Sequence, residues 1–365
     1  MNEMMEKQQL DAIRQQIDAV DEEIQARINK RAALAQEVAR IKLASGDDAL
    51  FYRPEREADV LRTVKERNQG PLDGEEMARL FREIMSACLA LEKPMSIAFL
   101  GPDGTFTQAA ALKHFGHSVT TTPFNSIGDV FREIESGSCD YGVVPVENST
   151  EGVISHTLDM FLNSPLVICG EVVLRIHHNL LCSPGYDWKQ AETIYSHQQS
   201  LGQCRHWLDQ NLPHAEQIPY PSNAEAARHV AESGKDVAIA SSEAATIYQL
   251  DTATPNIEDE PGNTTRFLVI GKQQAAPSSQ NKTSLLLSTK NEAGGLHRLL
   301  APLAEQGISM SRIESRPSRR GVWDYVFFVD ICGHIDDPQV AEALKILETE
   351  AGMCKVLGSY PVAVL

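Results

Sequence analysis

Apolar residues at Leu10, Ile13, Ile17, Val20, Ile24 and Ile28 recur at three- and four-residue steps, and Leu34, Val38 and Ile41 carry the stripe onward. That spacing lines one face of a helix. No proline or glycine interrupts before Gly46, so one helix of about 35 residues, roughly 50 Å long, is expected. A short hairpin cannot cover so long a stripe, which calls for a partner alongside it. Pro54 suits the first turn of a second helix carrying Val60, Leu61 and Val64. Asp73 and Glu76 have capping-box spacing for a third helix through Leu80, Phe81, Ile84, Met85, Cys88 and Leu91.

Beyond Pro94 the period changes. Short apolar runs such as 97–100, 142–144 and 237–240 read as buried strands, each followed by a polar turn and a helical stretch. Residues 273–281, with Pro277, Ser278 and Ser279, read as a linker. The remainder reads strand 283–289, helix 295–305, strand 308–315, strand 323–331, helix 338–350 and strand 354–360, the order of a ferredoxin-like βαββαβ unit. Three domains are therefore expected: all-α over 1–94, α/β over 95–274 and ferredoxin-like over 282–365. A chain of 365 residues is too long for one core.

Charge narrows the partners. The net charge of −17 disfavours nucleic acid and anionic membrane, though not a small anion in a locally basic site. Residues 1–10 are too polar for a signal peptide, and no apolar run approaches a membrane span. The seven cysteines are scattered without a Cys-x-x-Cys pair, which fits a reduced, cytoplasmic chain. No zinc spacing or phosphate-loop glycine pattern is present, so neither metal nor cofactor is expected.

Four cations sit in or beside the helical stripes: Arg14, Arg31, Lys42 and Arg56. Arg31 and Lys42, about three turns apart, share a face. Arg14 lies roughly 25 Å from Arg31 and about 100° around the same helix. One small ligand reaches both only if a second chain contributes its own Arg14. Here Leu10-x-x-Ile13-Arg14-x-x-Ile17-Asp18, Asp21, Lys30-Arg31, Ala39-x-x-Lys42 and Arg56-Glu57 resemble the all-helical class of chorismate mutases over residues 10–92. The resemblance implies an intertwined homodimer with sites built from both chains. It also implies that Arg14 of the partner chain, Arg31 and Arg56 engage the polar edge and carboxylates of chorismate, that Lys42 holds the ether oxygen and that Glu57 binds the ring hydroxyl. Three positions expected to line the chorismate site depart from the family pattern: Arg53 replaces an acid, Cys88 a serine and Glu92 a glutamine that donates to the ether oxygen, a role Glu92 can fill only when protonated. A pericyclic rearrangement needs positioning and charge stabilisation rather than a nucleophile.

The middle block carries polar clusters at strand ends, namely 101–108, 145–150, 196–203, 241–243 and 263–267. Ser-, Thr- and Gly-rich turns that open helices present free N–H groups to carboxylates, and five in one α/β block favour a cleft at strand carboxyl ends. Thr105-Phe106-Thr107-Gln108, Val144-Pro145-Val146-Glu147-Asn148-Ser149 and Thr264-Thr265-Arg266-Phe267 resemble prephenate dehydratases. That implies two α/β lobes, similar to periplasmic binding proteins, with the site between them. Thr265 would assist loss of the ring hydroxyl, and Arg266 would pair a carboxylate or hold the loop. Asn148, Ser196 and Gln203 would orient prephenate, with Thr105 and Ser149 beside them. His197 is a weaker candidate acid, since a helix-start histidine is more often structural.

In the last block, Gly294-Gly295-Leu296-His297 and Glu314-Ser315-Arg316-Pro317 resemble the two segments that frame a phenylalanine site in ACT domains of this enzyme family. Glu314 would meet the amino group, and Gly295 replaces the usual alanine. The expected activity is conversion of chorismate to prephenate and of prephenate to phenylpyruvate, inhibited by L-phenylalanine, in a homodimer or higher oligomer. The rival reading is a mutase fused to a non-catalytic aromatic-acid sensor.

Overall fold

The protein is described by a computed structural model over residues 2–44, 51–289, 292–317 and 325–365. Its first helix, α1 (Asn2–Ala44), runs 43 residues, longer than expected because nothing in the polar first turns breaks it. The break anticipated at Gly46 lies outside the described residues. α2 (Pro54–Arg67) begins on its proline, and α3 (Gly74–Ala90) is capped by the Asp73 carboxylate, which accepts from Glu76 N at 2.7 Å. Leu61, Ala78 and Met85 pack between α2 and α3. α1 has no such cover: Ile13, Ile17, Val20 and Ile24 are 51–54% exposed.

The chain then forms β1 (Ser96–Leu100), β2 (Thr120–Phe124), β3 (Tyr141–Asn148), β4 (Gly152–Val153) and β5 (Val167–Arg175). It crosses to a second lobe for β6 (Asn179–Cys182), β7 (Thr193–His197), β8 (Glu216–Tyr220), β9 (Val237–Ala240) and β10 (Asp251–Thr254). It returns with β11 (Thr264–Gly271), which inserts antiparallel between β3 and β5. The sheets run β2-β1-β3-β11-β5, with β4 on β3, and β10-β6-β9-β7-β8. Two crossings between lobes leave a cleft where the strands end, the usual ligand position in such sheets.

The tail consists of β12 (Asn281–Ser288), helix Gly295–Glu305, β13 (Met310–Pro317), β14 (Tyr325–Cys332), helix Pro338–Glu350 and β15 (Met353–Pro361). Its sheet order β13-β14-β12-β15 is the expected ferredoxin-like arrangement. The start anticipated for β14 at Trp323 lies outside the described residues.

The tail is not suspended on a linker. Leu286, Val326, Phe328, Leu357 and Tyr360 join one core with Val146, Ile168 and Leu268 of the first lobe. At Gly358 β15 comes so close to β5 that a Cβ would lie 2.1 Å from the Ile168 carbonyl oxygen. The C-terminal residues continue onto the helical domain, where Arg62 donates to Val362 O at 2.8 Å and Lys65 to Val364 O at 3.0 Å.

Candidate active and regulatory sites

The helical cavity gathers residues from all three helices. Arg31 and Lys42 of α1, Arg53 at the N-cap of α2, Arg56 and Glu57 of α2, and Cys88 and Glu92 from α3 and the turn after it line about 470 Å³. Glu92 falls past the last helical residue, yet the turn still directs it to the cavity that Cys88 lines. Burial pushes its carboxyl above the ordinary range, while Lys42 and Arg31 pull it back. Burial likewise raises Glu57, opposed chiefly by Arg82, its ion-pair partner. Arg82 was missed in the sequence, although it shares an apolar face with Ala78, Met85 and Leu89. A buried charge in such a stripe needs a partner. Arg53 pairs with Glu55 at 2.7 Å. Arg14 does not line this cavity; it is exposed and pairs with Asp11 at 3.2 Å.

The interlobe cleft, about 260 Å³, is lined by Thr105, Asn148, Gln203 and Thr265 together with Phe106, His178, His197, Asn223, Ser241 and Asn263 among others. Four helices with polar N-caps begin at its wall, Phe106–Phe115, Gln198–Gln203, Asn223–Ser233 and Ser242–Tyr248, capped by Thr105, His197, Ser222 and Ser241, beside a fifth, Ser155–Phe161, whose N-cap is the apolar Ile154. Each polar N-cap side chain accepts from an N–H of its own first turn. His197 is thus a helix cap as well as a cleft residue. No lysine or arginine is among the described residues that line the cleft.

Thr265 is 7% exposed, and its Oγ accepts from Asn148 Nδ2 at 2.8 Å. Asn148 Nδ2 also donates to Asn263 Oδ1 at 2.8 Å, and Asn263 Nδ2 to Gln203 Oε1 at 3.1 Å.

Three expected prephenate contacts are corrected. Successive residues of a strand face opposite ways. With Thr265 and Phe267 on the cleft, Arg266 points to the tail, bound to Glu171 at 2.8 Å, Asp330 at 2.6 Å and the Tyr360 hydroxyl at 3.0 Å. Ser196 is wholly buried beneath the cleft, donating toward Ile239 O at 2.7 Å and Asn223 Oδ1 at 2.9 Å. It positions Asn223 rather than lining the cavity. Ser149 Oγ accepts from Thr264 N at 2.9 Å and ties the strand ends together.

In the tail, Gly294 takes a positive φ of 78° ahead of Gly295, Leu296 and His297, which open their helix. Glu314, Ser315 and Pro317 lie on β13, an edge strand. Arg316 is corrected as a ligand residue: it donates to Ser155 Oγ at 2.5 Å and Asp159 Oδ1 at 3.1 Å on the first lobe.

Fold and cavities define a three-domain class: a helical domain with a cationic cavity, a two-lobed domain with a polar cleft, and a ferredoxin-like tail fused to the first lobe. Family models match in that order, chorismate mutase type II over residues 13–93, prephenate dehydratase over 97–275 and the ACT domain over 283–349. A bifunctional chorismate mutase/prephenate dehydratase from Stutzerimonas stutzeri is 54% identical, covering 99% of this chain and 100% of that one. One from Pseudomonas aeruginosa is 53% identical with the same coverage. The crystal structure of a prephenate dehydratase from Arthrobacter aurescens in complex with L-Phe is similar with TM-score 0.68 at 31% identity, covering 73% of this chain and 90% of that one. The chain belongs to the bifunctional chorismate mutase/prephenate dehydratase family, with a C-terminal ACT domain.

Proposed function

We propose that residues 1–94 rearrange chorismate to prephenate, that residues 95–274 convert prephenate to phenylpyruvate, and that residues 282–365 bind L-phenylalanine and restrain the second reaction. The observation that carries this reading is the pairing, in one chain of this family, of a cavity ringed by four cations with a separate cleft holding Thr265.

In the helical cavity Arg31, Arg53 and Arg56 pair the carboxylates of chorismate, and Arg14 of a second copy closes the site. Lys42 and protonated Glu92 donate to the ether oxygen as its bond breaks, and Glu57 accepts the ring hydroxyl. These groups hold the bent substrate and meet charge where it develops. The exposed stripe of α1 supports a homodimer through this helix. In the cleft, free N–H groups at the helix starts bind the carboxylates of prephenate. The Thr265 oxygen already accepts from Asn148, so its own proton is available to the ring hydroxyl. As the C–O bond breaks, the electron pair of the departing carboxylate completes the aromatic ring. Carbon dioxide leaves, and the hydroxide takes the Thr265 proton to become water, with a solvent proton restoring the threonine hydroxyl. A cytoplasmic location suits this biosynthetic role and the seven scattered thiols.

The test is chorismate with purified protein and no added cofactor. Phenylpyruvate is the expected product. Accumulation of prephenate alone would favour the sensor reading, in which the cleft binds an aromatic acid without turning it over.

A further inference from the structure

His178 is 1% exposed, lines the interlobe cleft and stacks edge-on against Phe106 at 5.7 Å between ring centroids. Its Nδ1 is buried with no hydrogen-bond partner. A buried polar atom left unpaired costs free energy unless something completes it.

The hydrogen-bond network fixes which protons this ring carries. Asn148 Oδ1 accepts from the backbone N–H groups of Thr150 and Glu151, both at 3.0 Å. A backbone N–H can only donate, so that atom is the oxygen, and Asn148 Nδ2 must donate to Thr265 and Asn263. Asn263 Oδ1 is thereby the acceptor and Asn263 Nδ2 the donor to Gln203 Oε1. From the other end, the Glu151 carboxylate takes Gln203 Nε2 at 3.3 Å, which fixes the same orientation of Gln203. Gln203 Oε1 lies 2.7 Å from His178 Nε2, and an amide oxygen cannot donate. His178 therefore carries its proton on Nε2, and Nδ1 is a bare acceptor. Burial keeps the imidazole below its ordinary pKa, with Gln203 and Glu258 pulling the other way, so the neutral ring is favoured.

Prephenate offers two carboxylates, a ketone and one hydroxyl. Its only hydrogen-bond donor is the hydroxyl that must leave. We propose that His178 Nδ1 accepts the hydrogen bond of that ring hydroxyl and holds its oxygen toward the Thr265 proton. This rests on the reading of the cleft as the dehydratase site. His178 acts as a positioning residue that touches substrate; it transfers no proton. The same network ties it to Thr265 through Gln203, Asn263 and Asn148, so donor and acceptor are held by one rigid set of amides. A site that pairs a substrate hydroxyl discriminates against molecules lacking it, because its own polar atom is then left unpaired.

The test uses the full chain and two substitutions. His178→Gln keeps a donor for Gln203 and takes the acceptor away from the Nδ1 position. His178→Asn puts an amide oxygen near the Nδ1 position. For His178→Gln, kcat/KM for prephenate is expected to fall roughly 10- to 100-fold, and calorimetric binding of phenylpyruvate, which lacks the ring hydroxyl, to stay unchanged. His178→Asn should recover part of the loss. Equal weakening of prephenate and phenylpyruvate would assign His178 a merely structural role and overturn the proposal, as would wild-type kcat/KM in His178→Gln. If His178→Gln fails to fold, the preference of His178→Asn for prephenate over phenylpyruvate decides: a preference like the wild type's supports the proposal, and its loss opposes it. Thr265→Ala separates the two levels of inference. If that variant stays active, the cleft reading fails; if it is inactive while His178→Gln is normal, only the role of His178 fails.

Discussion

The cavity under α1 is ringed by Arg31, Lys42, Arg53 and Arg56, whereas the described residues lining the interlobe cleft include no lysine or arginine. Both are read as sites for dicarboxylates of similar size. The difference lies in what each scaffold offers. A helical bundle exposes side chains along its flanks while its backbone N–H groups are spent internally, so anion binding there falls to formal charge. An α/β lobe turns helix N-termini toward the ends of its strands, and four with polar caps meet at the cleft. Under the proposed function, the N–H groups and dipoles at these helix starts take the place of charged side chains in binding anions. In the proposed reading the cationic cavity takes Arg14 from a second copy, while the cleft draws on residues of one chain.

Substitutions that silence one site and spare the other test this contrast most strongly. Thr265→Ala is expected to lower phenylpyruvate formation by about 10²- to 10⁴-fold and leave mutase turnover intact in separate assays of chorismate and prephenate. Near-normal dehydration would remove Thr265 as the donor.

Arg31→Ala is expected to cost mutase turnover about 10²- to 10³-fold with dehydration unchanged. Arg14→Ala should do the same although its side chain lies outside the cavity of its own chain. Mixing the two variants should restore part of the activity, since one hybrid site would carry both arginines. If verified heterodimers show no recovery, the site does not need a second copy.

A smaller effect is expected where the first lobe meets the tail. Burial pushes Asp330 up, but Arg266 and Ser284 more than offset it and hold its carboxyl below the ordinary range. Arg266→Met would leave Asp330 buried without its ion-pair partner, with only the more distant charge of Arg312 to offset burial, while Glu171 keeps Lys282 at 2.7 Å. The expected cost is about 3–5 kcal/mol, read as a fall in denaturation midpoint, with weaker inhibition by L-phenylalanine. An unchanged midpoint and unchanged inhibition would mean that this contact neither stabilises the interface nor couples it.

The smallest effect sharpens the description of the cationic site. With its pKa raised, Glu92 stays protonated, and able to donate, to higher pH than an ordinary carboxylate. Mutase turnover should therefore fall as pH rises through that pKa, and the Glu92→Gln profile should stay nearly flat. Superimposable profiles would exclude Glu92 as a donor to the ether oxygen.

Part of the helical site was legible because its residues sit on periodic helices, where spacing alone decides which share a face, while Arg53, Glu57, Cys88 and Glu92 were placed there by the family resemblance. Arg31 and Lys42 follow from three turns of separation, and the isolation of Arg14 from a 25 Å offset. The cleft was legible as a set of strand-end clusters but not atom by atom. Thr265 and Arg266 are adjacent in one motif, and strand alternation sends the first to the cleft and the second to the tail. His178 follows a strand with no motif around it, and only the convergence of Gln203, Asn263 and Asn148 marks it.

Local pattern and spacing by themselves determined the three kinds of domain, the exposed stripe that asks for a partner, Arg31 and Lys42 as cations sharing one helix face, and the polar turns of the second site. These depend on contacts within a few residues, where backbone geometry is nearly fixed. The tertiary structure alone decided that the tail shares a core with the first lobe, that Arg266 and Arg316 join domains instead of holding ligands, and that Ser196 supports the cleft from below. Each of these depends on which distant surface arrives opposite a side chain, and neither composition nor periodicity encodes that arrival locally.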